Sequence, residues 1–149
     1  MNTNESIKAK GHIKFELFDE SGKLKELREI DNVVVTVGKT YLATWLAAAS
    51  QAGAFMQYIA LGTGTTAASA SDTTLQTELA TRVAGTITSS GAVWQNQATF
   101  GAGVDTGAVT ESGLLSASSS GTLFAHQVFS VINKAAGDSL QVTWTVTFS

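Results

Sequence analysis

Apolar and polar residues alternate with period two early in the chain. Ile13, Phe15 and Leu17 are interleaved with Lys14 and Glu16, the signature of a strand with one buried face. Asp19-Glu20-Ser21-Gly22 supplies turn chemistry, and Leu24, Leu27 and Ile30 lead back to Val33-Val34-Val35. The pattern predicts a long hairpin, with a bulge restoring phase where Leu24 and Leu27 break strict alternation; a helix over 23–29 is the rival. At Gly38 the period changes. Tyr41, Leu42, Trp45, Leu46 and Ala49 recur every three to four residues, which predicts a helix over 39–50. Residues 56–61 are apolar on both faces and predict an interior, central strand.

A Gly/Thr/Ala/Ser loop follows, and Ser71 or Asp72 is placed to cap a helix over 73–81, with Arg82 complementing its carbonyl end. Beyond it, strands are predicted over 83–89, 92–100, 108–115, 123–132 and 140–148, divided by Gly- and Ser-rich turns. In the last, Val142, Trp144, Val146 and Phe148 lie opposite Thr143, Thr145 and Thr147. About eight short strands with such turns predict a mainly β fold, a single-domain β-sandwich or jelly-roll-like domain with one or two short helices. The expected organisation is a flexible arm over 1–10 and one domain over 11–149. That domain comprises a charged hairpin (11–37), a helix (39–50), and a sheet with a short helix (56–149).

Composition changes what surrounds that core. Only 14% of the 149 residues are charged, against the usual quarter, and Gly, Ala, Ser and Thr fill the difference. Lys8, Lys10, Lys14, Lys23, Lys25, Arg28 and Lys39 all precede Thr40, leaving Arg82 and Lys134 beyond it. The first quarter therefore predicts a salt-bridged, solvated hairpin, and the rest a polar surface almost without charge. A surface of that kind suits a protein covered by neighbours, and edge strands need covering too. The net charge of −3 argues against nucleic acid as a partner, since no cation excess is available to displace counterions from phosphates. With no Cys, disulfides and thiolate zinc sites are excluded. No basic–apolar leader is visible at residues 1–6, and the apolar stretch 42–49 is too short to cross a bilayer. A soluble, unprocessed chain without membrane partners is expected.

Candidate chemistry is sparse. Val33 to Thr40 runs as a strand into Gly38-Lys39-Thr40, but a phosphate loop needs glycine where Val33 stands; Gly38 is expected to ease a strand-to-helix bend. Gly62-Thr63-Gly64 stands about eight residues ahead of the predicted helix and lacks the βαβ setting of a dinucleotide fingerprint. His12 and His126, the two histidines, fall in predicted strands with no acidic or histidine partner beside them in sequence. Asp105 and Glu111 flank a Gly-rich turn and would form an acid/base pair only if folding joined them; otherwise Asp105 serves the turn and Glu111 a nearby cation. Ser-rich loops lack a nucleophile elbow. The residues predict no enzyme, no cofactor and no metal site. Trp45 and Trp144 are expected in the core; Trp94, beside Gln95, Asn96 and Gln97, is either core or an exposed contact residue.

Several of these segments, taken together, resemble a family of small structural proteins of tailed bacteriophage particles. They include Asp19-Glu20-Ser21-Gly22-Lys23, Asn32-Val33-Val34-Val35-Thr36-Val37-Gly38-Lys39 and Ile59-Ala60-Leu61-Gly62-Thr63-Gly64-Thr65-Thr66-Ala67. Ser71-Asp72-Thr73-Thr74-Leu75-Gln76-Thr77-Glu78-Leu79 with Arg82, Gly107 through Leu115, Val128 through Lys134, Asp138-Ser139-Leu140 and Val142-Thr143-Trp144-Thr145-Val146 complete the set. The resemblance implies a non-enzymatic virion protein, made in the bacterial host cytoplasm and displayed on the particle's outer surface. Its single-domain size points to a capsid decoration (cement) protein. Such a protein would be a homo-oligomer, expected to be a trimer, bound to the major capsid protein. The alternative is a tail or fibre adaptor that contacts tail proteins or a host glycan. Lys8, Lys10, Lys14, Lys23, Lys25 and Arg28 are the candidate capsid contacts. Thr63, Thr65, Thr66 and Trp94 are the candidate oligomer or glycan surface.

Overall fold

The computed structural model describes residues 6–51 and 53–149. Nine strands and one helix occupy them: β1 (Ala9–Phe18), β2 (Leu24–Val34), α1 (Thr36–Ala47), β3 (Tyr58–Gly62), β4 (Glu78–Ala84), β5 (Thr86–Ser90), β6 (Val93–Phe100), β7 (Gly107–Leu115), β8 (Leu123–Lys134) and β9 (Ser139–Phe148). All pairings are antiparallel, in the order β4-β3-β7-β8-β2-β1-β9-β6-β5. The sheet folds at β2, which pairs with β1 along most of its length but meets β8 only through Val33 and Val34. One layer is therefore β2-β1-β9-β6-β5 and the other β4-β3-β7-β8. The two outermost strands, β4 and β5, are consecutive in the chain and joined at Gly85, so the backbone closes the seam. This is a mainly β, sandwich- or barrel-like fold.

Alternation builds the core. Ile13, Phe15 and Leu17 of β1, Ala98 and Phe100 of β6, and Leu140, Val142, Trp144 and Val146 of β9 face Ile59 and Leu61 of β3, Val109 and Leu114 of β7, and Phe124, Phe129 and Ile132 of β8. The predicted bulge in the first hairpin is present: Leu17 pairs with Glu26 and Phe18 with Leu24, leaving Lys25 as the extra residue. It does not bury both leucines, since Leu24 and Leu27 remain exposed.

Four expectations change. The predicted arm shrinks, because Lys8 exchanges two backbone hydrogen bonds with Ser149 (2.7 and 3.0 Å) and β1 begins at Ala9; residues 1–5 of that arm lie outside the described residues. The first helix begins and ends about one turn earlier than its stripe suggested, so Ala49 lies beyond it and Leu46 is 65% exposed. The predicted helix over 73–81 does not form. Its second half is β4, which pairs with β3, and Asp72 caps a loop instead. Finally, the segment read as one strand over 83–89 is divided between β4 and β5, which brings the strand number to nine. The predicted central strand, β3, is buried as expected but lies second from the sheet edge.

Candidate functional site

β3 has both faces covered because the chain leaving it doubles back. Residues 63–77 cross the outer face of the β3-β7-β8 layer before entering β4. Thr63 N–H donates to the Thr77 carbonyl (2.9 Å), and Thr36 N–H at the start of α1 donates to the Ala70 carbonyl (2.8 Å). Leu75 packs with Val35, Ala60, Leu115 and Leu123 in a second apolar cluster beneath this strap. The strap can lie this close because Gly113 leaves a notch: a Cβ there would collide with the Leu75 side chain.

The polar fastening of the strap is Glu111 on β7 and His126 on β8, both completely buried. Glu111 Oε1 accepts from the backbone N–H of Gly64 (2.9 Å) and Thr77 (2.7 Å), and Oε2 accepts from Gln76 N–H (2.9 Å). Oε2 also lies 2.8 Å from His126 Nε2, while His126 Nδ1 lies 2.8 Å from Asp72 Oδ2 on the strap. Burial works to raise the Glu111 carboxyl, but the Gln76 and Thr77 amides, the imidazole and the Gly64 amide outweigh it and hold the group below its ordinary range. For Asp72, burial again opposes, and the Ser69 amide and His126 prevail. Each ring nitrogen thus lies beside a carboxylate oxygen, so whichever nitrogen carries hydrogen finds an acceptor. With both ring nitrogens engaged, His126 ties β8 to the strap on one side and to Glu111 on the other.

A second feature lies at the α1 end. Trp45, Phe55 and Trp94 surround an open cleft of about 360 Å³ whose walls also include Leu42, Phe124 and Phe148. The rings touch edge to face or tilted: Trp45–Phe55 at 5.3 Å, Phe55–Phe124 at 5.3 Å and Phe55–Trp94 at 6.2 Å between centroids. An adjoining groove of about 660 Å³ continues over Leu42 and Leu46 of α1 to Ile7. Ile7 and Leu46 are the most exposed large apolar side chains among the described residues.

The cations expected to face a capsid do not form one patch. Lys10 pairs with Asp31 (3.5 Å), Lys14 with Glu16 (3.2 Å) and Lys25 with the otherwise buried Asp138 (2.7 Å). Arg28 shares the inward-facing side of β2 with Ile30, pairing with Glu26 and donating to the Ser130 carbonyl of β8. Lys8 and Lys23 are exposed. His12 is half-exposed beside Asp31 (3.0 Å) and Glu29 (3.5 Å); its ring, then Lys10, holds the Asp31 carboxyl below its ordinary range.

Of the predicted contact surface, Thr63, Thr65 and Thr66 lie exposed on the strap, at the opposite end of β3 from Trp94. Trp94 itself is half-buried in the cleft, where the wall side chains named above offer a sugar's hydroxyls almost nothing to bond. Asp105 and Glu111 are not brought together: Asp105 accepts from Thr81 N–H (3.2 Å), and Glu111 belongs to the latch. The Asp72–His126–Glu111 set escaped sequence reasoning. Its one signal was a lone carboxylate, Glu111, inside a strand of small and apolar residues. Among the described residues no cluster of three or more His, Asp or Glu is arranged to hold a metal ion. Comparison with known protein families, curated proteins and solved structures finds no match to this chain.

Proposed function

We propose that this chain is a non-enzymatic structural component of a tailed-phage particle, a capsid decoration protein that sits on the outer shell as a homo-oligomer. The observation that supports this most is the α1 end of the molecule. There an aromatic cleft, an exposed Leu46 and an exposed Ile7 form an apolar face of the kind used for protein contacts. The outer face of the first layer, by contrast, presents hydroxyl and amide side chains, with Gln95 and Gln97 bonded to Thr145 and Thr143. Binding would act by mass action, since a protein that binds only the assembled shell stabilises that shell by RT ln(1 + [L]/Kd) at each site.

The cations of the hairpin, mostly neutralised within their own sheet, would contribute orientation at the rim rather than most of the affinity. The test is co-sedimentation of the purified protein with expanded empty shells and, separately, with isolated tails. Saturable binding to shells that raises their melting temperature supports the proposal; binding to tails alone overturns it.

A further inference from the structure

We propose that the strap of residues 63–77 is an acid-released cover, latched by Asp72–His126–Glu111 over the apolar patch of Ala60, Leu115, Leu123 and Val35. The strap is held unequally. Its apolar anchorage is one side chain, Leu75, which is 5% exposed, whereas the residues on either side are exposed. Apart from the Thr36 amide on the Ala70 carbonyl and the Thr110 hydroxyl on the Gly64 carbonyl, the polar fastening converges on one carboxylate. Glu111 takes the amides of Gly64, Gln76 and Thr77, at both ends of the strap, and the ring of His126, which takes Asp72 from the middle.

Protonating Glu111 removes the charge that four donors share, and one carboxyl oxygen becomes a donor among donors. It also takes from the buried His126 ring one of its two carboxylate partners, leaving Asp72 alone. The two elements thus fail together rather than one at a time. Other charges packed near the site do not substitute for Glu111. Glu78 on β4 lies across Gly62 from Glu111 but is bonded to Arg82, whose guanidinium also donates to the Ala117 and Ser120 carbonyls. The neighbouring end of β2 and the segment leading into α1 present Val33, Val35 and Val37. The sign is definite. Carboxyls held below their ordinary values of 4.5 and 3.8 in the fold keep the strap closed above those values and release it as pH falls below them, through the lowered folded values.

The core depends less on such groups: Asp31 and Asp138 beside β1 and β9 are also held below their ordinary values, but the strands themselves are joined by backbone pairing and by Ile13, Phe15, Val142 and Trp144. Release would expose an apolar face on the β3-β7-β8 layer, opposite the hydroxyl-rich layer. The inference stands whatever particle carries the protein.

The experiment is hydrogen exchange read by mass spectrometry on the full chain, corrected for intrinsic rates, at neutral pH and at about pH 2.5, well below the ordinary values of both carboxyls. Peptides covering 63–77 are compared with peptides from β1 and β9, in the wild type and in Glu111→Gln and Asp72→Asn. The expected result is that the strap alone loses protection in acid, by roughly tenfold or more, the scale of losing hydrogen bonds to a charged group. Glu111→Gln should show the same loss at neutral pH. Should Glu111→Gln fail to fold, the wild-type comparison and the milder Asp72→Asn decide. Equal protection of strap and core at both pH values, or their simultaneous loss, overturns the inference.

Discussion

Replacing Gly38 by alanine sets local preference against packing, and the structure decides which wins. Gly38 lies in the first turn of α1, where alanine gains at most about 1 kcal/mol over glycine. An alanine Cβ would sit 2.5 Å from Phe124 Cα and 2.6 Å from the Phe124 carbonyl oxygen. Carbon atoms in contact rest at about 3.5–4.0 Å, and the obstacle is strand backbone rather than a side chain that can rotate away. The helix must therefore retreat from β8 by about 1 Å, and overpacking of this kind costs roughly 1–3 kcal/mol.

The net expectation is a loss of about 1–2 kcal/mol, or a melting temperature lower by about 2–8 °C for a chain of this size. Retreat would also loosen the Trp45–Phe55 and Phe55–Phe124 contacts that line the cleft. Thermal unfolding followed by circular dichroism, together with tryptophan emission, reads both effects. An unchanged or higher melting temperature with unchanged emission would refute the seating of α1 on β8. Gly38 was expected to permit a bend between strand and helix; the structure assigns it to close approach instead.

Leu75→Ala removes the strap's single apolar anchor and should cost about 2–4 kcal/mol, measured by urea unfolding, with exchange over 63–77 rising more than elsewhere. Asp105 is raised above its ordinary value chiefly by burial, with its hydrogen bonds from Thr81 and the Lys134 charge opposing, and its Oδ2 has no partner. Its ionised form therefore costs stability at neutral pH, and that cost disappears as pH falls through its folded value. Asn tolerates the positive φ of 46° at this position, so Asp105→Asn should raise the neutral melting temperature by about 1–3 °C, with the gain vanishing in acid scans. Removing residues 1–6 leaves the Lys8–Ser149 pairing and β1 intact, so melting should be unaffected. If the arm contributes to capsid contact, shell binding should weaken in the same protein; equal binding would exclude the arm.

The strands were legible where one face is buried and the other solvated, as in β1 and β9, because alternation then records burial directly. α1 was legible for the same reason at its own period. The failure over 73–81 has a physical cause. Asp72 followed by Thr73-Thr74-Leu75-Gln76 carries a helix-capping pattern, but Gln76 and Thr77 give their amides to Glu111, which lies 34 residues or more away. That tertiary acceptor outcompetes the local helix: Leu79 and Val83 pack against the core, and β4 pairs with β3 through Glu78, Arg82, Val83 and Ala84. The latch itself depends on register. Glu111 faces Val128 and Gly113 faces His126 across a hairpin whose pairing shifts between Val109 and Glu111, and no pattern of single residues specifies that shift. The cleft was half visible, in the helical stripe and in the ambiguity of Trp94.

On the proposed role a tailed phage encodes this chain, and particles of such a phage give the most direct test of the central claim. Heads and tails would be separated after disruption, and the chain quantified in each by mass spectrometry against the major capsid protein. The account predicts that it follows the heads in fixed proportion to capsid subunits. Recovery with the tails alone, or absence from purified particles, would contradict it.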